Sequence, residues 1–435
     1  MLHPVTGSKQ SVLTAIDNAT VAFTQNNQVV QEQLAAAYPD PIEREHARQQ
    51  IIAKLKQATS ESAKDHNDPK WFSPRDPMAA LAQSAMNTAA EQTARQISFG
   101  IPAFEQFGTA DPGWIECIID GFKTAAEGKA PFVQHANLTD YLLDIPDTIT
   151  IALVADWGAA NDASTAVAKQ IRDKNPDITI HLGDIYYAGQ DNEVEAALKL
   201  WPMADPVTGV VAAKSSFALN GNHEMFSGGK PYFKMIQTKF GQPASYFGLR
   251  NSNWQLLAFD TAYVEHRLLP ESEAIGDSAA LKSQWNWLVD KVKNSNLSTI
   301  FLSHHQPVSA FNAENTAATK IRQDFEALRT ATGGKTVFGW FFGHEHQCTI
   351  YDDNRIPYFA RLIGNGCIPH SAPPPDQKPE PGCFDFHKMN SQKNAKGDAV
   401  SGFALLSING ADIHIQYINE DGTVFNEEFW DATAR

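Results

Sequence analysis

Residues 149–156 read ITIALVAD and residues 178–184 read ITIHLGD, two short apolar runs rich in β-branched residues. Three similar runs follow: SFALNGNHE at 216–224, STIFLSHH at 298–305 and TVFGWFFGHEH at 336–346. Stretches with helical spacing, such as 278–295 and 319–332, lie between the runs. Alternation of strands with helices is typical of a sheet buried between helices. We therefore predict an α/β fold for this part of the chain.

The C-terminal part of the chain follows a different pattern. Residues 401–408, 411–418 and 423–430 read SGFALLSI, ADIHIQYI and TVFNEEFW, and each alternates like a strand. Asn409-Gly410 and Asp421-Gly422 separate them, and such dipeptides favour tight hairpin turns. Three consecutive antiparallel strands are predicted here.

The N-terminal third differs from the rest. It is rich in Ala, Gln and Glu, with apolar residues at helical spacing and almost no β-branched runs. One helix is expected from Pro41, and another from around Gly113 to Glu127 with Gly128 as its stop. We predict a helical region of unknown role at residues 1–145 and a second domain at 146–435.

Composition excludes several classes of protein. The 435 residues carry 35 Lys plus Arg against 50 Asp plus Glu, a formal charge of −15, whereas a protein that coats nucleic acid needs a basic surface. No apolar run approaches the roughly 20 residues that span a bilayer. The four cysteines form no CxxC pair, and the first residues show no secretory signal. We expect no nucleic-acid or membrane partner and a cytoplasmic location, with secretion left open; the oligomeric state stays undetermined.

Each of the five apolar runs of the α/β part ends in residues that bind metals or transfer protons. These are Asp156, Asp184 with Tyr187 three residues later, Asn222, His223 and Glu224, His304 and His305, and His344 and His346. Sites in α/β sheets lie beyond the carboxyl ends of the strands, so these side chains are expected to converge. Carboxylate, amide, phenol and imidazole without thiolate suit hard or borderline cations. About seven of these residues are plausible ligands, which is too many for one four-coordinate ion and suits two ions that share a carboxylate.

The five blocks together resemble the calcineurin-like metallophosphoesterases, and specifically their purple acid phosphatase branch. The matching blocks are Asp156-Trp157-Gly158, Gly183 to Tyr187, Gly221 to Glu224, His305-Gln306-Pro307 and Gly343 to His346. Most of the superfamily has a metal-binding histidine where this chain has Gly158, and Tyr187 stands where the purple enzymes supply a phenolate. The resemblance implies a four-layer α/β/β/α sandwich as the catalytic domain, with the helical region appended.

The resemblance also implies roles for individual residues. Asp156, Tyr187 and His346 would hold the first metal ion, with Asp184 bridging, and Asn222, His305 and His344 would complete the second. A tyrosinate favours Fe(III) at the first position, and Zn, Mn or Fe(II) would fill the second. A small phosphate monoester would be hydrolysed by a metal-bound hydroxide, with His223 assisting the phosphoryl or leaving group.

Alternatives remain at the level of residues and of function. Tyr186 replaces Tyr187 as the ligand if the register shifts by one. His304 and His305 face opposite sides if the strand continues, which leaves His304 as a core or outer-sphere residue. A phosphodiesterase of the same fold is the first functional alternative, and a non-catalytic scaffold stapled by metals is the second.

Overall fold

The computed structural model describes residue 17 and residues 19–64, 112–205, 207–212, 214–264, 277–310, 316–369, 372–379 and 381–434. The chain divides into two compact units. One consists of residues 1–129 with 226–228 and 369–371, and the other of residues 130–225, 229–368 and 372–435. The boundaries predicted from the sequence, 1–145 and 146–435, stay a prediction.

In the part of the first unit that the structure describes, the regular secondary structure is helical. It contains α1 (Gln28–Ala37), α2 (Pro41–Lys64) and α3 (Pro112–Glu127), and residues 19–25 are helical as well. Asn27 caps α1, because its Oδ1 atom accepts a hydrogen bond from the Val30 amide at 2.9 Å. Asp40 accepts from the first amides of α2 in the same way. Helix α3 ends before Gly128, whose φ of +82° suits glycine, as predicted.

The second unit holds two β-sheets. Their strands are β1 (Leu142–Asp144), β2 (Thr148–Val154), β3 (Ile178–His181), β4 (Ser216–Ala218), β5 (Phe247–Arg250), β6 (Trp254–Ala258), β7 (Ser298–Ser303), β8 (Gly339–Phe342), β9 (Cys348–Tyr351), β10 (Phe359–Ile363), β11 (Phe386–Met389), β12 (Gly402–Asn409), β13 (Asp412–Asn419) and β14 (Val424–Asp431). The eight-stranded sheet has the order β1-β5-β6-β7-β8-β10-β9-β11, and the six-stranded sheet has the order β14-β13-β12-β2-β3-β4. The predicted C-terminal antiparallel strands are β12, β13 and β14.

Helices follow the strands along the chain. They are α4 (Asp162–Lys174), α5 (Asp191–Leu200), α6 (Asn222–Phe226), α7 (Lys230–Met235), α8 (Asp277–Lys293) and α9 (Thr316–Ala331), and a π-helical turn, Ile236–Phe240, extends α7. The two sheets share one apolar core, to which β2 and β3 of the smaller sheet and β6 and β7 of the larger one contribute. This mixed α/β arrangement of two sheets and helices, with a helical N-terminal region, confirms the predicted fold class.

The five apolar runs of the sequence are strands β2, β3, β4, β7 and β8, but they belong to two sheets. The first three lie side by side and parallel in the six-stranded sheet. The last two are parallel neighbours in the eight-stranded sheet. Each of these strands ends before the polar residues that close its run, so those residues lie in the loops, in the turns and, for Asn222 to Glu224, in the short helix α6 that follow.

Candidate metal centre

Three side chains of the centre sit on strained backbone. Asp156, Asp184 and His344 follow β2, β3 and β8, and their φ angles of 54°, 72° and 73° lie in the left-handed region. Non-glycine residues rarely adopt this conformation, and such strain is concentrated at functional sites. The turns join one another, because the His344 amide donates to Asp156 Oδ2 at 2.8 Å. The strand ends of the two sheets therefore meet at one place.

Glycines let the backbone pack directly against the carboxylates. A Cβ atom at Gly343 would lie 2.5 Å from Asp156 Oδ2, and one at Gly221 would overlap Asp184 Oδ1. Atoms cannot approach so closely without a shift of the backbone. These two glycines of the Gly-Asn-His-Glu and Gly-His-Glu-His blocks are thus required by packing around the aspartates.

Asp156 and Asp184 form the acidic heart of the centre. Both side chains are buried, at 0% and 1% exposure. Burial, reinforced by the charge of Asp184, raises the pKa of Asp156 to about 8. Burial acts on Asp184 in the same sense, but the imidazoles of His304 and His223 outweigh it and hold the pKa of Asp184 below its usual value. Positive charge nearby is therefore needed to stabilise both of these buried groups in their ionised form.

His304 lies at the middle of the donor atoms. Its Nε2 atom is 3.0 Å from Asn222 Oδ1, 3.2 Å from His344 Nδ1 and 3.3 Å from Asp184 Oδ2. Its Nδ1 atom faces the Leu182 carbonyl at 3.1 Å. Burial lowers the pKa of His304, but Asp184 has the larger effect in total and the pKa rises to about 9. From the sequence alone, His304 is expected in the core or in the outer sphere of the centre.

The reason for the difference at His304 is the end of its strand. Strand β7 stops at Ser303, so the alternation of side chains that would have turned His304 away does not extend to it. His305, the predicted ligand, is also fully buried, and its Nδ1 atom lies 2.9 Å from Thr261 Oγ1. His304, His305 and His344 each present a nitrogen atom within 4.8 Å of the others.

The structure places the phenol of Tyr186 at the centre, and the assignment of Tyr187 as a metal ligand stays a prediction from the sequence. The Tyr186 hydroxyl lies 2.6 Å from His346 Nε2, 3.3 Å from Asp184 Oδ2 and 3.4 Å from Asp156 Oδ1. Tyr187 is half-buried and contributes its carbonyl oxygen, which accepts from His223. Residues after Asp184 form a turn, in which spacing along the sequence does not fix the direction of a side chain. The adjacent second tyrosine was the signal in the sequence for this alternative.

Burial dominates the electrostatics of Tyr186. Together with the charges of Asp184 and Asp156, it raises the pKa of the Tyr186 hydroxyl well above the usual value of tyrosine. His346 beside it is partly accessible, with 23% of its side chain exposed, and its Nε2 atom lies 3.7 Å from Asp156 Oδ1. The open edge of the centre is therefore on the side of His346.

His223, the predicted catalytic residue, stands on α6 beside Asp184. Its amide donates to Asp184 Oδ1 at 3.0 Å, and its Nδ1 atom lies 2.6 Å from the Tyr187 carbonyl. Because a carbonyl oxygen only accepts, this contact places a hydrogen on Nδ1 and leaves Nε2 facing Asp184 Oδ2 at 3.8 Å. Burial lowers the pKa of His223, against the pull of Asp184.

Glu224, the next residue of α6, fixes the backbone around Asp184. Its carboxylate accepts hydrogen bonds from the amides of Asp184, Ile185 and Gly221 at 2.8 to 3.1 Å. Burial raises the pKa of Glu224 to about 8, and the charge of Asp184 adds to this effect. The side chain thus shapes the turn that carries Asp184.

The model of the calcineurin-like phosphoesterase family matches residues 149–348. Over these residues, which are less than half of the chain, the chain is similar to the calcineurin-like phosphoesterases. The match begins in β2 and ends in β9, so it includes all five blocks and every residue of the centre described above. The similarity to this family supports a metal-dependent phosphoesterase. The clustered histidine and aspartate side chains are candidate metal ligands.

Solved structures similar to this chain include three that share the fold only remotely. GAP50, the anchor in the inner membrane complex of Plasmodium, is 13% identical, with 65% of this chain and 89% of that chain covered and a TM-score of 0.48. The phosphoesterase Yfce from E. coli is 11% identical, with 64% and 98% covered and a TM-score of 0.29. A putative 5′-nucleotidase from Staphylococcus aureus is 11% identical, with 66% and 55% covered and a TM-score of 0.31.

Two further comparisons gave negative results. No curated protein matches the sequence of the chain. Among the helices that the structure describes, none is both long enough and apolar enough to cross a membrane.

Proposed function

We propose that the phosphoesterase domain hydrolyses small phosphate monoesters with two metal ions. The observation that supports this proposal is the convergence of two buried aspartates, an amide, a phenol and four imidazoles where five strands end. Oxygen and nitrogen donors without thiolate are the set that hard and borderline cations prefer. The net negative charge of the chain favours a small substrate over a polyanion such as nucleic acid.

The donor set fits two ions with Asp184 between them. Asp156 and His346 lie beside the Tyr186 hydroxyl, Asn222 and His344 lie beside His304 Nε2, and Tyr186 and His304 both contact Asp184 Oδ2. In this assignment Tyr186 takes the place predicted for Tyr187. His304 joins His305 as a candidate for the second ion. Such ions, when bound, neutralise phosphoryl oxygens and lower the pKa of water.

The residues of the chain supply orientation and a proton. The Tyr187 carbonyl holds the His223 ring by Nδ1, so Nε2 is the atom available to the phosphoryl group or to the leaving oxygen. Burial lowers the pKa of His223, and the Asp184 carboxylate beside the ring counteracts part of this effect. Glu224 keeps the Asp184 turn rigid through three backbone amides. We assign to His223 the role of proton donor and to Asp184 that of the shared ligand.

The identity of the ions can be tested by colour. If Tyr186 binds Fe(III), the oxidised protein absorbs visible light through charge transfer from phenolate to iron. Tyr186→Phe then removes the band, and Tyr187→Phe, the matched control, keeps it. Loss of the band in the Tyr187 variant alone would restore the assignment made from the sequence. An active but colourless protein that contains two divalent ions, such as Zn²⁺ or Mn²⁺, would contradict the assignment of Fe(III).

The central experiment joins elemental analysis to substrate preference. We expect two equivalents of metal in the purified protein and faster hydrolysis of p-nitrophenyl phosphate than of bis(p-nitrophenyl) phosphate. His223→Ala should lower kcat by about a hundredfold or more, as expected when a general acid is lost. A preference for the diester would replace the monoesterase by a phosphodiesterase, and metal binding without turnover would favour a scaffold. The cytoplasmic location stays a prediction.

A further inference from the structure

Glu345 lies between two histidines of the centre but does not face them. The turn around it is tight, because the Glu345 amide donates to the Gly343 carbonyl at 3.0 Å and the Gln347 amide donates to the Glu345 carbonyl at 2.7 Å. His344 contacts His304, and His346 contacts Tyr186. The side chain of Glu345 instead reaches a different loop.

That loop is the one that follows His304 and His305. Glu345 Oε1 accepts hydrogen bonds from Ser309 Oγ at 2.5 Å and from Gln306 Nε2 at 3.1 Å. The other carboxylate oxygen, Oε2, is buried as well. One carboxylate therefore bridges the two segments from which all four imidazoles His304, His305, His344 and His346 come.

The loop of Gln306 and Ser309 is itself anchored on its other sides. Arg322 Nη1 donates to the Pro307 carbonyl at 2.9 Å, and the Phe384 amide donates to the Ser309 carbonyl at 3.0 Å. Ser303 Oγ donates to the His305 carbonyl at 2.8 Å. The loop is thus a fixed reference, and the bonds of Glu345 tie the turn of His344 and His346 to it.

We propose that Glu345 is a positioning residue that sets the distance between the two histidine-bearing segments and thereby the affinity for the ion they share. This inference rests on the proposed two-metal function and adds a residue to it. An ion held by His304 or His305 together with His344 takes ligands from both segments, so its binding depends on their spacing. Residues that orient ligands affect metal affinity by about 10- to 100-fold.

The experiment measures Zn²⁺ binding to the full chain by competition with a chelator. We expect Glu345→Ala to weaken the binding of one ion by about 10- to 100-fold, and Glu345→Gln and Ser309→Ala to weaken it less. The double variant Glu345→Ala with Ser309→Ala should bind no worse than Glu345→Ala, because both changes remove the same link. With p-nitrophenyl phosphate, saturating Zn²⁺ should restore most of the kcat of these variants, with KM little changed.

A control variant separates a specific effect of Glu345 from a general effect of losing a carboxylate. Glu420→Gln changes a half-buried carboxylate far from these loops in sequence, and it should leave Zn²⁺ affinity unchanged. If the parent binds two ions and the Glu345 and Ser309 variants bind them equally well, the positioning role is wrong while the proposed function stands. A parent that binds no Zn²⁺ would instead refute the function. If Glu345→Ala does not fold, Glu345→Gln and Ser309→Ala decide; loss of an ion in Glu345→Gln with none in Ser309→Ala would make Glu345 a ligand.

Discussion

His304 and His305 are neighbours with different surroundings, and the difference is measurable. The Nε2 atom of His304 has three other donors of the centre within 3.3 Å, whereas His305 is bonded through Nδ1 to Thr261. The strand that precedes them ends at Ser303. Which of two adjacent histidines enters a centre is therefore decided by where a strand stops, to within a single residue.

The first prediction compares these two histidines. We expect His304→Ala to lose one equivalent of bound metal at micromolar Zn²⁺, because it removes the nitrogen that lies among Asp184, Asn222 and His344. His305→Ala should lose less affinity. Equilibrium dialysis followed by elemental analysis gives the stoichiometry of both variants, and a larger loss in the His305 variant would reverse our assignment.

The second prediction concerns Gly221, whose missing side chain makes room for Asp184. In Gly221→Ala the new methyl group overlaps Asp184 Oδ1 and the Asp184 amide, so we expect a loss of about 1–3 kcal/mol of stability and weaker metal binding. Urea unfolding and metal titration measure the two effects.

Gly241→Ala is the control for Gly221→Ala. Gly241 has a φ of +66° and open space around its Cα atom, so alanine there costs about 1 kcal/mol through backbone strain alone. Metal binding should be unchanged in this variant. Equal effects of both substitutions on metal binding would contradict the packing argument at Asp184.

At this scale the structure brings together many of the residues that the motifs predict and adds two whose position depends on local geometry; the roles assigned to all of them stay predictions. Asp156, Asp184 and Asn222 lie where spacing and resemblance placed them, close to His344 and His346. Tyr186 and His304 were each one position away from the predicted residue. Both follow the end of a strand, where a turn sets the direction of each side chain and the periodicity of a strand no longer applies.

At the scale of the elements, strand β3 carries a buried histidine, His181, whose protonation destabilises the folded chain. His181 is 2% exposed, and its Nε2 atom lies 2.7 Å from the Trp157 carbonyl. Trp157, Trp201 and Met235 line a small apolar cavity beside it. Burial lowers the pKa of His181 to about 4. The folded chain therefore holds this ring in its neutral form.

The third prediction follows from that pKa. Between pH 6.5 and pH 4 the unfolded chain binds a proton at His181 that the folded chain does not, so stability falls as the pH falls. We expect the contribution of His181 to be about 2 kcal/mol between pH 7 and pH 5. Urea unfolding at both pH values measures the change. His181→Gln, which does not titrate, should reduce the loss by that amount, and an unchanged slope would contradict the prediction.

Strands and helix ends were predictable from composition, but the division into two sheets was not. The five apolar runs are strands, α2 begins at the expected Pro41, and α3 spans nearly the expected residues and ends at Glu127. The short strands β5, β9 and β11, with four residues each, carry too few residues for a periodic signal. They complete the larger sheet, so its membership depends on contacts between distant segments.

At the scale of the molecule, a charged pair in the described part of the chain joins the two sheets. Arg361 of β10 lies 2.6 Å from Glu428 of β14 through Nη2 and 2.8 Å through Nε, and the Tyr417 hydroxyl donates to the same carboxylate at 2.8 Å. Only 3% of Arg361 is exposed. Buried pairs of this kind contribute little net stability, but the loss of one partner leaves an isolated charge in the interior.

The fourth prediction uses this asymmetry. Arg361→Ala should lower the free energy of unfolding by about 3–5 kcal/mol, because Glu428 loses its partner. Arg361→Met combined with Glu428→Met should recover much of that loss, since no charge remains. Urea unfolding at neutral pH compares the variants. If the double variant were less stable than Arg361→Ala, the pair would be strongly stabilising in itself.

The family match and the fold differ in extent. Residues 149–348 carry the match, yet the larger sheet extends to β11 and the smaller one to β14. The antiparallel strands after residue 400 were predicted from their turns, whereas their place beside β2 could not be read from the sequence. That place depends on the pairing of segments at opposite ends of the domain.

The pairing of β2 with β12 has a consequence for synthesis on the ribosome. The two strands are neighbours in register from Thr148 opposite Asn409 to Leu153 opposite Ala404. At about 5–20 residues per second, roughly 250 further residues take some tens of seconds to translate after β2 emerges. During that interval one edge of β2 in the nascent chain has no native neighbour, and an unpaired apolar edge invites association with other chains. We expect the growing polypeptide to need chaperones until its final hairpins arrive.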